Sequence, residues 1–280
     1  HVNLGQENGK FSPRPLADGE LADVLSAWQE TLGERGWNAL YLENHDQPRA
    51  VSRFGDPHGA WYESATALAT AYFLQRGTPF IYQGQEIGML GGHFTRPSDF
   101  RDVESLNYLS AHPGEGVPAG LAAISRDNGR TPMQWDSSPA AGFTSGTPWI
   151  DLPPSASSIH VERQLADASS VLAFYRALID ARHRVPALTS GSFRRVDAGD
   201  PGLFVYVRSC EGSEVLVMTN LSGRAITPRG AVLDKELHPS GWRLYLGNVD
   251  ASPIDPSEAD AGDPLPASTM APWEARVYLR

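Results

Sequence analysis

Between residues 18 and 82 the sequence alternates between helical and strand-like patterns, and this alternation limits the folds open to the chain. Apolar residues recur every three or four positions over 18–35, which predicts an amphipathic helix. A short apolar run predicts a buried strand at 38–42, and the same two patterns return at 61–75 and 78–82. Helix, strand, helix and strand in this order are typical of βα units around a parallel sheet.

Polar residues follow directly after both predicted strands. The first strand leads into ENHDQPR at 43–49, and the second into QGQE at 83–86. In α/β sheets and barrels, the loops after the carboxyl ends of the strands converge on one cavity, where reactive groups collect. The position of ENHD therefore favours chemistry over a surface turn, and we expect Gln83, Gln85 and Glu86 to support that site.

Charge and composition exclude several classes of partner. The 280 residues include 33 acidic and 23 basic side chains, a net charge of −10, which argues against nucleic acid. No apolar run approaches the roughly 20 residues of a membrane span. The single cysteine, Cys210, suits a reducing compartment, so a cytoplasmic location is expected. The chain opens with His1 and no signal peptide, and we expect that an upstream segment has been removed.

The pattern changes after about residue 190. Before it, short helices are predicted within 98–130, a structured loop over 126–160 and a final helix over 170–184. After it, strand-like runs predict a small antiparallel β domain, at 203–207, 215–218, 242–246 and 275–279. We therefore expect two domains, residues 1–188 and residues 189–280.

Three motifs occur in a fixed order: ENHDQPR at 43–49, TPFIYQGQEIGM at 78–89 and RDNGRTPMQWD at 126–136. Together they resemble the α-glucosidase branch of the α-amylase family, glycoside hydrolase family 13, which includes oligo-1,6-glucosidases, dextran glucosidases and sucrose isomerases. The resemblance covers the whole chain. It implies an α/β fold: the C-terminal part of a (β/α)8 TIM barrel, namely its last two strands and helices, followed by an antiparallel β-sandwich domain.

The resemblance also implies that two catalytic groups are missing. Retaining glycosidases use one carboxylate to attack the sugar and a second carboxyl group to protonate the leaving oxygen. In the family the nucleophilic Asp and the acid/base Glu lie on earlier barrel strands, and no segment of this sequence resembles their motifs. We therefore expect this chain to be inactive by itself.

Two residues of the first motif match catalytic positions of the family. Asp46 matches a fixed aspartate that binds hydroxyls of the sugar being cleaved and helps to distort its ring, which makes it a stabiliser of the transition state. His45 would donate a hydrogen bond to the same sugar, with Pro48 fixing the turn. The alternative for His45 and Asp46 is a strand-end turn with local hydrogen bonds.

Two later residues match positions that bind substrate. Arg126 matches an arginine that holds the terminal glucose, and its planar guanidinium suits paired hydroxyls. Its alternative is a salt bridge inside the loop, with Asp127 or Asp136. Glu104 matches a ligand of the next sugar, and its alternative is an exposed charge on a helix.

For the remaining candidate residues, substrate binding is weighed against a structural role in the fold. Arg49 and Arg130 are candidate substrate-binding residues, although an ion pair within the fold is open for Arg49 and favoured for Arg130. Sugar stacking is possible for three residues of the third motif region, but ordinary packing is favoured for Met133, Trp135 and Trp149.

No metal and no cofactor is expected. The histidines lack metal-ligand spacing, and no glycine-rich phosphate loop follows a strand. The sequence departs from the common family pattern at Gly129, where Ala is usual, and at Gln85, where Glu is usual. The expected partner is an oligosaccharide, and the sequence indicates no oligomeric state.

For the parent protein we expect retaining, exo-acting hydrolysis of α-linked gluco-oligosaccharides. A sucrose isomerase or trehalose synthase type of transglucosidase is the alternative within the fold, because the handling of water depends mostly on the missing residues. A non-catalytic barrel subunit of a transporter is the alternative outside enzymes. The sugar-binding groups His45, Asp46 and Arg126 argue against that third interpretation.

Overall fold

The structure is a computed structural model that describes residues 3–229, 237, 241–249 and 268–280. These residues form two compact units, each assembled from separate stretches of chain. The first unit contains the chain up to Leu16, Tyr41–Pro57 and Ile81–Ala173. The second contains Ala17–Leu40, His58–Phe80 and the described part of Phe174–Arg280. The domain boundary after residue 188 stays a prediction.

Two short strands lie among the helices of the first half of the chain, and strands dominate its end. The helices are α1 (Glu20–Leu32), α2 (Ala50–Phe54), α3 (Trp61–Phe73), α4 (Val103–Ala111), α5 (Ala119–Ile124), α6 (Val161–Leu165), α7 (Val171–Arg184) and α8 (Pro186–Ser190). The strands are β1 (Ala39–Leu40), β2 (Thr78–Pro79), β3 (Ser192–Val196), β4 (Leu203–Cys210), β5 (Ser213–Asn220), β6 (Arg243–Gly247) and β7 (Ala275–Leu279). Short 3₁₀ turns, including Arg126–Arg130, order the loop between α5 and α6.

The three long helices predicted from periodicity are confirmed, and no end differs from the predicted one by more than three residues. Strands β1 and β2 pair in parallel, as the helix–strand alternation predicts, with Ala39 opposite Thr78. Both are shorter than predicted, and the hydrogen bonds between them run from the Thr78 N–H to the Asn38 carbonyl and from the Phe80 N–H to the Leu40 carbonyl, each at 2.8 Å. Gly77 lies at φ +145°, and a Cβ there would come 2.3 Å from the Asn38 carbonyl oxygen, so this approach to β1 requires glycine.

The end of the chain forms one antiparallel sheet among the described residues, in the order β3-β4-β5-β7-β6. Its apolar side chains enclose a core that includes Val205, Leu216, Met218 and Trp242. The predicted antiparallel β region is therefore confirmed. A two-sheet sandwich stays a prediction, as does the assignment of β1 and β2 to a barrel.

A buried arginine connects this sheet to helices of the same unit. Arg208 on β4 is fully buried, and within the described part of the chain its guanidinium donates to backbone carbonyls and to no side chain. The acceptors lie at 2.7–3.2 Å, on Leu74, Leu188, Gly191 and Ser192. Burial lowers the pKa of Arg208 to about 10. One side chain thus donates hydrogen bonds to backbone carbonyl groups at the ends of α3 and α8 and at the start of β3.

The first unit has its own small core. Phe94 stacks on Phe100, and Leu109, Leu121 and Ile150 pack around them. Asp102 caps α4, where its carboxylate accepts from the Ser105 N–H at 3.2 Å and the Ser105 hydroxyl at 3.0 Å. Among the helices of the described residues, none has the length and apolar character needed to cross a bilayer.

Candidate functional site

The loop that carries His45 and Asp46 is closed at its base by a buried ion pair. Glu43 accepts from the Ala50 N–H at 2.8 Å through one oxygen, and its other oxygen lies 3.1 Å from Arg49 Nη1. Both side chains are almost completely buried. Since residues 43 and 50 are held together in this way, the chain between them forms a closed loop.

Within that loop, Asn44 makes a tight turn. Its side-chain oxygen accepts from the Asp46 N–H at 2.8 Å, and its carbonyl accepts from the Gln47 N–H at 3.2 Å. Asparagine side chains commonly bind their own backbone two residues on, which is the Asx turn. The local hydrogen bonds that we weighed as an alternative are therefore present, and they leave both His45 and Asp46 side chains partly exposed.

The turn at 126–130 packs directly on the backbone of this loop, through the Arg130 side chain and through Gly129. Arg130 Nε donates to the His45 carbonyl at 2.8 Å, and the Tyr82 hydroxyl donates to the Gly129 carbonyl at 2.8 Å. A Cβ on Gly129 would come 2.6 Å from the Gln47 carbonyl oxygen and 2.9 Å from that of Asn44. The close approach therefore depends on the glycine that departs from the common family residue.

Three cationic or potentially cationic groups surround the Asp46 carboxylate. Its Oδ1 accepts from Arg130 Nη2 at 2.9 Å and lies 3.6 Å from Arg126 Nη1, while its Oδ2 lies 3.2 Å from His45 Nε2. The Asp46 side chain is 44% exposed and that of His45 is 71% exposed. Exposed ion pairs contribute little free energy, so these contacts leave the carboxylate accessible to a ligand.

Arg126 lies between three carboxylates. Its Nε is 2.9 Å from Asp102 Oδ1, an ion pair that lacks the alignment of a hydrogen bond, and its Nη2 is 3.4 Å from Glu104 Oε2. Lys10 contacts the same oxygen of Glu104. Within the described residues, the ion pairs of Arg126 go to these groups and to Asp46, and not to Asp127 or Asp136, the two alternatives that the sequence offers.

The structure brings together five of the six predicted site residues: His45, Asp46, Glu104, Arg126 and Arg130. Arg49 lies apart from them. Besides its ion pair with Glu43, it donates to the Gln83 carbonyl at 2.7 Å, and its guanidinium lies over the Tyr82 ring. This is the internal ion pair left open from the sequence.

Two members of the cluster were not among the predicted site residues. Asp102 has a recognisable signal, since an aspartate three residues before a serine suits a helix N-cap, but nothing in the sequence connects it with the arginines. Lys10 has no local signal. Of the three residues weighed for sugar stacking, Met133 is buried, whereas Trp135 and Trp149 are half-exposed.

The buried Glu43 and the partly buried Glu86 lie close to Arg49, beneath the loop. Burial raises the pKa of the Glu43 carboxyl, against the opposing attraction of Arg49. Burial also raises the pKa of the Glu86 carboxyl, although N–H groups of the backbone donate to it. Oxygen Oε2 of Glu86 is buried and has no hydrogen-bond partner among the residues that the structure describes. The guanidinium of Arg49 is directed at Glu43 and at the Gln83 carbonyl.

Replacing Glu86 by glutamine is expected to stabilise the folded chain at neutral pH by about 1 kcal/mol, because it removes a buried, incompletely paired charge. The folded protein holds this proton more tightly than the unfolded chain does, so the unfolding free energy falls as pH rises from the ordinary pKa of 4.5 through the raised value. Urea unfolding between pH 4 and 8 measures this. The exposed Glu115→Gln is the control, and a Glu86→Gln difference that does not change with pH contradicts the prediction.

No group of three or more His, Cys, Asp and Glu side chains is arranged to hold a metal ion in the part of the chain that the structure describes. The charged side chains of the site instead alternate in sign, from Lys10 through Glu104 and Arg126 to Asp46. Such a surface offers both donors and acceptors to neutral hydroxyl groups.

The fold, the motifs and this polar cluster define a class. Residues 2–191 match the family model described as "Alpha amylase, catalytic domain", and the chain belongs to the α-amylase family. It is 41% identical over its whole length to an oligo-1,6-glucosidase of Halalkalibacterium halodurans, covering 49% of that protein. It is 38% identical, over 99% of its length, to the trehalose-6-phosphate hydrolase of Bacillus subtilis, again covering 49%.

Solved structures of enzymes with related names are also similar to this chain. A trehalose-6-phosphate hydrolase of Bacillus licheniformis superposes with a TM-score of 0.85 at 33% identity, over 100% of this chain and 50% of that one. An isomaltulose synthase mutant of Erwinia rhapontici, in complex with its natural substrate sucrose, gives 0.84 at 33% identity, over 99% and 49%. The chain thus spans about half the length of the relatives that it matches.

Proposed function

We propose that this chain is part of a glycoside hydrolase that removes glucose from the non-reducing ends of α-linked gluco-oligosaccharides with retention of configuration. The observation that carries the proposal is the cluster in which Arg126 and Arg130 flank the half-exposed carboxylate of Asp46. The family membership and the oligo-1,6-glucosidase relative support it. A cytoplasmic location, from the single Cys210, is part of the same proposal.

Each residue of the cluster has a role in this proposal. Asp46 accepts hydrogen bonds from hydroxyls of the glucosyl ring, and these bonds strengthen as the ring distorts toward an oxocarbenium-like transition state. His45 donates to the same ring. Arg126 holds the terminal glucose, and Glu104 binds the next sugar. Arg130 donates a hydrogen bond to Asp46 and so orients its carboxylate. Arg49 supports the loop through its ion pair with Glu43.

The chemistry needs two further carboxyl groups, one to attack the sugar and one to protonate the leaving oxygen. In the proposed assignment, these groups lie on earlier strands of a (β/α)8 barrel, and this chain supplies the last two strands and the C-terminal β-sandwich. Asp46 and the arginines bind and orient the sugar but cannot complete a double displacement. The chain alone is therefore expected to bind glucosides weakly and to turn none over.

The test compares the chain alone with a chimera, in which the chain is joined to the half of the Halalkalibacterium halodurans enzyme that it does not match. We expect the chimera to hydrolyse p-nitrophenyl α-glucoside and the chain alone to be inactive. A folded chimera without turnover counts against the proposal. Turnover by the chain alone would show that the catalytic carboxylates lie within it.

Solved relatives that include an isomaltulose synthase favour one alternative, transfer of the glucosyl group instead of hydrolysis. The same chimera given sucrose distinguishes the two. Release of glucose and fructose indicates hydrolysis, and formation of a sucrose isomer indicates transfer. Because the other half of the chimera comes from a hydrolase, isomer formation would assign the transfer property to this chain.

A further inference from the structure

Asp102 divides its carboxylate between a helix and the arginines of the site. The side chain is 2% exposed. Its Oδ2 accepts from the N–H and the hydroxyl of Ser105 at the start of α4, while its Oδ1 lies 2.9 Å from Arg126 Nε and 3.8 Å from Arg130 Nη1. One buried anion therefore attracts both guanidinium groups from the side away from solvent.

The same two arginines are attracted to Asp46 from the other side. Arg126 has Nη1 at 3.6 Å from Asp46 Oδ1, longer than its 2.9 Å contact with Asp102. A buried carboxylate attracts a cation more strongly than a half-exposed one at equal distance, because water screens it less. The rigid guanidinium fork thus keeps its Nε edge toward Asp102 and turns its Nη groups outward.

Asp102 is itself held firmly. Its backbone N–H donates to Asp127 Oδ2 at 2.9 Å, and the Arg101 N–H donates to the same oxygen at 2.7 Å. The hydroxyls of Ser105 and Ser125 lie 2.8 Å apart, which joins the start of α4 to the turn that begins at residue 126. The carboxylate therefore cannot follow the arginines if they move.

We propose that Asp102 is a positioning residue that holds Arg126 back from Asp46, so that Asp46, already paired with Arg130, stays available to sugar hydroxyls. The functional part of this inference rests on the proposed glycosidase function. Without the Asp102 charge, Arg126 closes onto Asp46 and adds a second tight ion pair to the one that Arg130 already makes. Sugar then has to displace that pair, and binding weakens while the chemical step changes little.

Two variants separate positioning from capping. Asp102→Asn removes the charge but keeps an oxygen that accepts from Ser105, whereas Ser105→Ala removes the hydroxyl contact and keeps the charge. Thermal unfolding and NMR signals of the arginine side chains are followed in the whole 280-residue chain. We expect Asp102→Asn to shift the Arg126 signals and slow the rotation of its guanidinium, and Ser105→Ala to lower Tm without either change.

In the chimera, Asp102→Asn is expected to raise KM by about tenfold with a smaller change in kcat, and Ser105→Ala to leave KM unaltered. Arg126 signals that do not respond to Asp102→Asn, or equal effects of both variants on KM, overturn the inference. The NMR result does not depend on turnover. An inactive chimera with shifted arginine signals therefore contradicts the proposed function and supports the positioning role.

Discussion

Replacing Asp46 by asparagine in the active chimera is expected to lower kcat/KM by about a thousandfold, equivalent to about 4 kcal/mol. Asparagine keeps the size of the side chain but is a weaker acceptor for sugar hydroxyls than a carboxylate. Because these hydrogen bonds strengthen in the transition state, most of the loss should appear in kcat. Steady-state kinetics with p-nitrophenyl α-glucoside measure both constants.

The matched control is Asp151→Asn, which makes the same chemical change at an exposed position. It should leave both constants within about twofold of the parent values. Thermal melting of each variant checks that the fold survives, since Asp46 also pairs with Arg130. A folded Asp46→Asn enzyme that keeps a tenth or more of the parent activity would contradict the role given to Asp46.

Replacing Arg208 by methionine is expected to lower the unfolding free energy by at least about 3 kcal/mol. Methionine fills much of the space of the arginine stem, so the main loss is that of the guanidinium donors. Three buried contacts, to the carbonyl oxygens of Leu74, Leu188 and Gly191, and one partly buried contact, to that of Ser192, are lost. Relief of the buried charge offsets part of the cost. Urea unfolding of the whole chain gives the difference.

Arg194→Met is the control for this prediction, since Arg194 is an exposed arginine on the neighbouring strand β3. It should change the unfolding free energy by less than about 0.5 kcal/mol. Arg208→Lys should fall between the two, because an ammonium keeps the charge but cannot reproduce a planar fork of donors. If Arg208→Met unfolds at the same urea concentration as Arg194→Met, the carbonyl contacts contribute nothing to stability.

Elements with a strong periodic pattern were predictable. Apolar spacing predicted helices at the positions of α1, α3 and α7, and apolar runs predicted strands at the positions of β4, β5 and β7. Strand β3, with the sequence SFRRV, was missed because it is largely polar and forms through its pairing with β4. Helix α2 was missed because five residues hold too little periodic signal.

The site was predictable where a motif carries it and not where contacts between distant segments do. His45, Asp46 and Arg126 belong to short motifs whose resemblance to a family suggests their roles. The structure adds Asp102, whose part depends on two arginines that come much later in the chain. It also places Arg49 beneath the loop, paired with Glu43, which proximity to Asp46 in the sequence does not indicate.

Strand β7 follows every other described strand in the chain, yet it lies inside the sheet, between β5 and β6. During synthesis, β4 and β5 leave the ribosome well before residues 275–279. Until those residues emerge, the edge of β5 that pairs with β7 has no partner strand. The nascent sheet therefore cannot close until translation has passed β7, and Val215 and Val217 stay beside an open strand edge until then. This edge of β5 is therefore the part of the sheet that is exposed to aggregation for longest during synthesis.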